Sequence, residues 1–165
     1  MAPVCMSPKH VLQEFMSAFS PHAACYAIGC ALHDLRNWRR DGYLRELGSR
    51  SGKAIHYTFE EVALIAVGAF FAKYGIRLRD AFAEVHERSA MIARTIQPEA
   101  APYFLYLALD PELVGRYSSV TAAPGLHRIR FLENPEGVLQ VNISAIVHRV
   151  RERLDTWERA KGGQP

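Results

Sequence analysis

Cysteine is scarce in this chain: Cys5, Cys25 and Cys30 are the only three among 165 residues. An odd, sparse set cannot staple a small secreted scaffold, and structural disulfides persist only in oxidising compartments. The N-terminus does not read as a secretory leader, so a reducing, cytoplasmic setting is expected. Cys25 and Cys30 lack the close spacing of a zinc pair, and no second ligand pair completes a site. They are expected to be small buried apolar residues, and neither a metal nor a cofactor is expected.

Long apolar runs are missing as well. The longest, Val62 to Ala72, falls well short of the roughly 20 residues that a membrane span needs. No membrane association is expected, and a helix apolar on nearly all sides reads as a central core helix. In a cytoplasmic protein the sequon Asn142-Ile143-Ser144 carries no meaning. There is no internal repeat and no low-complexity tract.

Catalytic signatures are also absent. The chain has no Walker loop, no His-Glu-x-x-His and no nucleophile elbow. His33-Asp34 and His86-Glu87 are adjacent pairs, but neighbours on a helix point away from each other. Ala123-Pro124-Gly125-Leu126 reads as an ordinary turn, not a phosphate loop. An enzyme is not expected.

What is present is an ordinary soluble composition, 49% apolar and 22% charged, sufficient to bury a real core. Net charge is only +3, which suits a nucleic-acid binder without demanding one. The positions say more than the total. Between His33 and Tyr57 stand Arg36, Arg39, Arg40, Arg45, Arg50 and Lys53, against Asp34, Asp41 and Glu46.

Residues 1–18 read as an N-terminal extension, in which His10 to Ala18 could form a short helix. Ser20-Pro21 then opens a helix with an N-cap serine and proline at the first helical position. Gly29 ends that helix, and a second runs from about Ala31 to Arg40, stopping at Asp41-Gly42. Leu47 to Tyr57 reads as a mobile two-stranded hairpin. Thr58-Phe59-Glu60-Glu61 matches a capping box that opens the core helix, which Gly75 breaks. A further helix begins near Leu78 or Arg79, with Phe82, Val85, Ile92 and Ile96 on one face. Pro98 and Pro102 mark a boundary between residues 19–97 and 98–165. Beyond it, Tyr103 to Leu109 is a strand candidate. Arg128 to Leu132 and Val138 to Ile143 read as a hairpin, and Ser144 as the cap of a final helix reaching about Lys161.

Short helix, tight turn, helix, basic hairpin and capped core helix follow the plan of a winged helix-turn-helix. A helix fits the major groove, and a hairpin beside it can follow the phosphates. From about residue 20 to 85 the chain resembles the DNA-binding domain of the MerR family. Gly29 is followed seven residues later by Arg36, within Leu35-Arg36-Asn37-Trp38-Arg39-Arg40-Asp41-Gly42-Tyr43-Leu44. Tyr57-Thr58-Phe59-Glu60-Glu61 is similar to the end of that family's wing, and Tyr74-Gly75-Ile76-Arg77-Leu78 to the end of its core helix. Asn37 stands where the family has an aromatic residue, and Arg39 where an acidic one is usual. Beyond about Ile96 the likeness stops.

The resemblance implies double-stranded DNA as partner. It implies that Arg36 binds a phosphate and orients the recognition helix, and that Trp38 packs under the turn. Arg39 and Arg40, with Arg50, Lys53 and His56, become candidates for backbone contacts, and His33 and Asn37 for base edges. For Tyr57 the preferred reading is a cross-strand partner that closes the wing.

In the final helix Ile143, Val147, Val150, Leu154 and Trp157 alternate by four and three, a heptad seam. Val147, Val150, Leu154 and Trp157 are therefore either dimerisation residues or a stripe packed on the small sheet of their own chain. MerR-like proteins dimerise through a helix at the C-terminal side, so the resemblance implies a homodimer.

The fold expected is α+β: an N-terminal winged helix-turn-helix, then a small module of about three strands and a closing helix. The function expected is sequence-specific transcription regulation, with RNA polymerase as a further candidate partner. Two alternatives stand beside it. One is a phage-type accessory factor, excisionase-like or terminase-small-subunit-like; the other is a protein-interaction adaptor that keeps the fold without DNA contacts.

Overall fold

The computed structural model describes residues 18–52, 54–97, 100–109, 117–122 and 137–162. These hold six helices and five strands, a mixed α+β fold. Lys53, Cys5, residues 10–17 of the expected N-terminal helix, the strand expected over 128–132 and the turn at Ala123 lie outside them.

Helix α1 (Pro21–Ile28) starts where Ser20 Oγ accepts the Ala23 N–H at 3.3 Å, with proline occupying the first turn. It stops at Gly29, whose φ of +80° lets the chain turn at no steric cost. Helix α2 (Leu32–Arg40) follows after three residues, Gly29 to Ala31. The Asp34 carboxylate accepts the Ala31 N–H at 3.1 Å and secures its first turn.

Strands β1 (Ser49–Ser51) and β2 (Ala54–His56) form an antiparallel hairpin in which Ser49 faces His56 and Ser51 faces Ala54. Phe19 bridges to Tyr57 through two backbone hydrogen bonds of 2.8 and 2.9 Å. The chain entering α1 is thereby tied to the chain leaving the hairpin.

Helix α3 (Phe59–Lys73) carries the expected capping box, with Thr58 Oγ1 accepting from Glu61 N and Glu61 Oε2 accepting from Thr58 N. Every residue from Val62 to Gly68 is buried, because other helices cover this one on several sides. Gly68 is required by a close approach: a Cβ there would come within 2.6 Å of the Phe82 ring. Phe82 belongs to α4 (Leu78–Glu87), which packs along α3 and is followed by the short α5 (Ser89–Arg94). The single helix expected across this stretch is thus broken at Arg88. Phe82, Val85, Ile92 and Ile96 nevertheless all face the core, at 6% exposure or less.

Strand β3 (Phe104–Leu109) is the centre of a three-stranded antiparallel sheet, between β4 (Tyr117–Ala122) and β5 (Gly137–Asn142). Helix α6 (Ile143–Gly162) leaves directly from β5. Its first turn is capped by Asn142, whose Oδ1 accepts the Ala145 N–H at 2.9 Å. Ser144, expected in that role, sits inside the helix, and its Oγ accepts the Tyr103 N–H at 2.9 Å.

The path of α6 decides the architecture. A helix of this length spans about 30 Å, enough to run back beside the N-terminal elements, and α6 packs against α1 and α3. Val147, Val150 and Leu154 are 2–3% exposed within the single chain. They join Phe19, Leu35, Val62 and Phe82 in one hydrophobic cluster. Trp157 lies 5.2 Å from Tyr26 of α1, ring centre to ring centre. Val147, Val150, Leu154 and Trp157, expected either as dimerisation residues or as a stripe packed within the chain, thus lie against helices of their own chain, with Trp157 half-buried. The stripe packs on α1 and α3 of its own chain, because the apolar face of α6 is consumed there. Packing on its own sheet, the other reading of the stripe, is met in part: among the described residues α6 also contacts β3.

Candidate nucleic-acid interface

Helix α2 has two faces with different chemistry. His33, Arg36, Asn37 and Arg40 recur at spacings of three and four, so they share one side. His33, Arg36 and Arg40 are exposed and Asn37 is half-buried. The opposite side carries Leu35, buried at 2%, with Trp38 and Arg39 half-buried beside it. Trp38 packs on Phe82 with ring centres 5.7 Å apart, and Tyr43 stacks on the same ring at 5.9 Å.

Arg39 does not project with the other cations. Its Nη1 donates to Leu47 O at 2.7 Å and to the Tyr57 hydroxyl at 3.5 Å, and its Nη2 donates to Gly48 O at 3.5 Å. The guanidinium also lies 5.9 Å from the Tyr57 ring centre. Glu61 holds the same corner from the other side, accepting the Gly48 N–H at 2.7 Å. Arg39 and Glu61 thus bolt the base of the hairpin to α2 and α3. Arg39, expected as a DNA contact, instead directs three hydrogen bonds inward, to Leu47 O, Gly48 O and the Tyr57 hydroxyl. The sequence held the signal, since Arg39 is four residues after the buried Leu35 and shares its face.

The outward cations carry weak, exposed partners. Arg40 Nε is 3.2 Å from Asp41 Oδ1, and His33 Nε2 is 3.2 Å from Asp34 Oδ1. Such pairs contribute about 0–1 kcal/mol and exchange readily for another anion. On the hairpin, Arg50 is exposed on β1, while His56 is half-buried on β2. One residue not singled out from the sequence joins this surface. His22, exposed in the first turn of α1, lines a cleft of about 280 Å³ with Leu32, Arg36 and Ile55. Only the return of β2 against α1 and α2 brings these residues together, so no local pattern pointed to it.

The two thiols behind α2 match the expectation of buried residues only in part: Cys25 is buried and Cys30 half-buried. Burial pushes the Cys30 thiol up from 9.0 to about 12, with the neighbouring Cys25 adding to the effect. Cys25 is raised by burial too, although its hydrogen bond with Cys30 opposes this. Tyr57 is raised by burial, with Arg39 acting against it. An acid whose folded pKa is raised contributes stability that is complete below its unfolded value and lost as pH climbs through the folded one. Melting temperature is therefore expected to fall between pH 9 and about 12. Cys30→Ala should make that fall shallower in a calorimetric pH series. An unchanged slope would show that the thiol is already ionised in the fold.

No known protein-family profile matches the chain, and no curated protein matches it. Among the described residues, no group of three His, Cys, Asp or Glu side chains could hold a metal ion. None of the described helices is long and apolar enough to cross a membrane.

Proposed function

We propose that the chain binds duplex DNA sequence-specifically as a transcriptional regulator, with α2 as the recognition helix of a winged helix-turn-helix and β1–β2 as its wing. One observation carries the reading. The exposed side of α2 gathers His33, Arg36, Asn37 and Arg40, while Leu35, Trp38 and Arg39 fix the other side to the core and hairpin. A short helix held rigidly, with its polar side outward beside a hairpin bearing Arg50, suits entry into a major groove. Arg36 and Arg40 would neutralise phosphates, and His33 and Asn37 would meet base edges. His22 adds a contact to the backbone beside the turn.

Regulation as a homodimer, and any contact to RNA polymerase, would use surfaces other than the apolar stripe of α6. A two-half-site arrangement would still raise affinity and specificity together.

Binding to fluorescent duplexes across a salt series tests the reading. Each phosphate neutralised contributes about 0.9 to the slope of log affinity against log salt. The double variant Arg36→Ala/Arg40→Ala should therefore lose roughly 1.8 in that slope and bind all duplexes more weakly. If the slope and the affinity are those of the native chain, α2 does not face DNA. Binding that is weak and insensitive to salt in the native chain would favour the adaptor. Clustered direct repeats, rather than promoter-centred palindromes, among mapped sites would favour the phage-type factor.

A further inference from the structure

Behind α2, on the side away from the hairpin, a cleft of about 570 Å³ opens between the Gly29–Cys30 turn, α2, the C-terminal half of α3 and the start of α6. Apolar and polar groups share its walls about equally. Ile28, Cys30, Trp38, Phe70 and Leu78 are all half-buried around it, and Ile146 and Val150 are buried beneath. Apolar surface left in contact with water costs about 25 cal/mol per Å² relative to covering it. A concave patch of this kind is where a small ligand gains most, and the volume falls within the range of roughly 300–1,000 Å³ typical of such sites.

The charges at the mouth select the ligand. Lys73 and Arg149 are exposed there, and among the described residues neither has an ion-pair partner. Arg153 adds a third cation, with Nη1 donating to Ala27 O at 3.2 Å. Asp34 is the one carboxylate lining the cleft, and both its oxygens are engaged: Oδ2 by the Ala31 N–H, Oδ1 by His33. The lining therefore combines an apolar floor with a rim of net positive charge, three cations against Asp34. We infer that this cleft binds an amphipathic organic anion: an aromatic or branched hydrocarbon body carrying one carboxylate or sulfonate. The body lies against Trp38 and Phe70, and the anion meets Lys73 and Arg149. The site is separate from the proposed DNA-facing side of α2, and its test needs no DNA, so the two readings stand or fall apart.

The probe is anilinonaphthalene sulfonate, an aromatic body with one sulfonate, titrated into the native full-length chain and followed by fluorescence. The expected result is saturable binding of one dye per chain, with unchanged circular dichroism and displacement by indole acetate. Lys73→Glu/Arg149→Glu alters only exposed side chains and should weaken the dye at least ten-fold. Ala69→Trp, which fills the cleft from α3, should abolish binding. Phenylnaphthylamine, which lacks the sulfonate, should bind more weakly and ignore the charge reversal. The assignment is overturned if the dye does not saturate, if neither variant changes its affinity, or if the uncharged analogue binds equally well. A dimer that excludes the dye in light scattering, and separates on charge reversal, would give the cleft to a second copy and overturn it as well.

Discussion

Leu154→Glu is expected to abolish cooperative folding of the whole chain, including the N-terminal elements that lie more than a hundred residues away in sequence. Leu154 is 2% exposed and shares a core cluster with Ala23, Ala24 and Val62. Truncating a buried leucine costs about 2–5 kcal/mol, and an unpartnered carboxylate in its place adds a desolvation penalty. Together these take up much of the 5–15 kcal/mol by which a typical domain is stable. The two tryptophans make the test local, because Trp38 reports on α2 and Trp157 on α6. In Trp157→Phe and Trp38→Phe backgrounds the remaining fluorescence should follow one denaturation curve, and Leu154→Glu should collapse both. A Trp38 signal that survives the substitution would show that residues 19–97 fold alone. A stable monomer produced from a native dimer would restore the seam between copies.

The second large effect separates two arginines that look alike in the sequence. Arg39→Ala should destabilise the chain by about 1.5–3 kcal/mol, the usual worth of hydrogen bonds from a charged group. It strips the donors from Leu47 O and Gly48 O and uncovers one side of the Tyr57 ring. In a chain of this size that corresponds to a melting temperature lower by roughly 3–12 °C. Arg36→Ala, on the exposed side, should change stability by less than about 0.5 kcal/mol and act on DNA affinity instead. Calorimetry on both single variants decides the matter. Equal melting temperatures would mean that the clamp at the hairpin base contributes nothing, and that Arg39 is free to contact DNA after all.

Local chemistry accounts for what could be read directly. Ser20-Pro21 and Thr58-x-x-Glu61 satisfy orphan amides with side chains a few residues away, so both helix starts follow from neighbours in sequence. Gly29 and Asp41-Gly42 mark turns for the same reason. The hairpin at Leu47–Tyr57 and the strand at Tyr103–Leu109 follow from composition and alternation. The uniformly apolar Val62–Gly68 segment could only be a helix enclosed by others.

Other features had no local cause. Asn142 rather than Ser144 caps α6 because Ser144 is taken by Tyr103, 41 residues away. Arg39 serves as a clamp because the hairpin returns its carbonyls to α2, although its spacing from Leu35 already placed it on the inner face.

The sequence by itself determined the helices and hairpin of the N-terminal part, most of their ends, and which side of α2 is polar, but neither strand β4 nor the break between α4 and α5. These depend on hydrogen bonds and periodicities that span at most a few residues. Only the tertiary structure decided what the heptad stripe of α6 covers. A stripe of Val147, Val150 and Leu154 records that an apolar face must be buried, and the hydrophobic effect is indifferent to whether the cover is a second copy, a sheet or helices of the same chain. Here α1 and α3 present matching apolar faces within reach of a helix that leaves β5 beside them. Closing the core within one chain avoids the entropy lost in bringing two chains together.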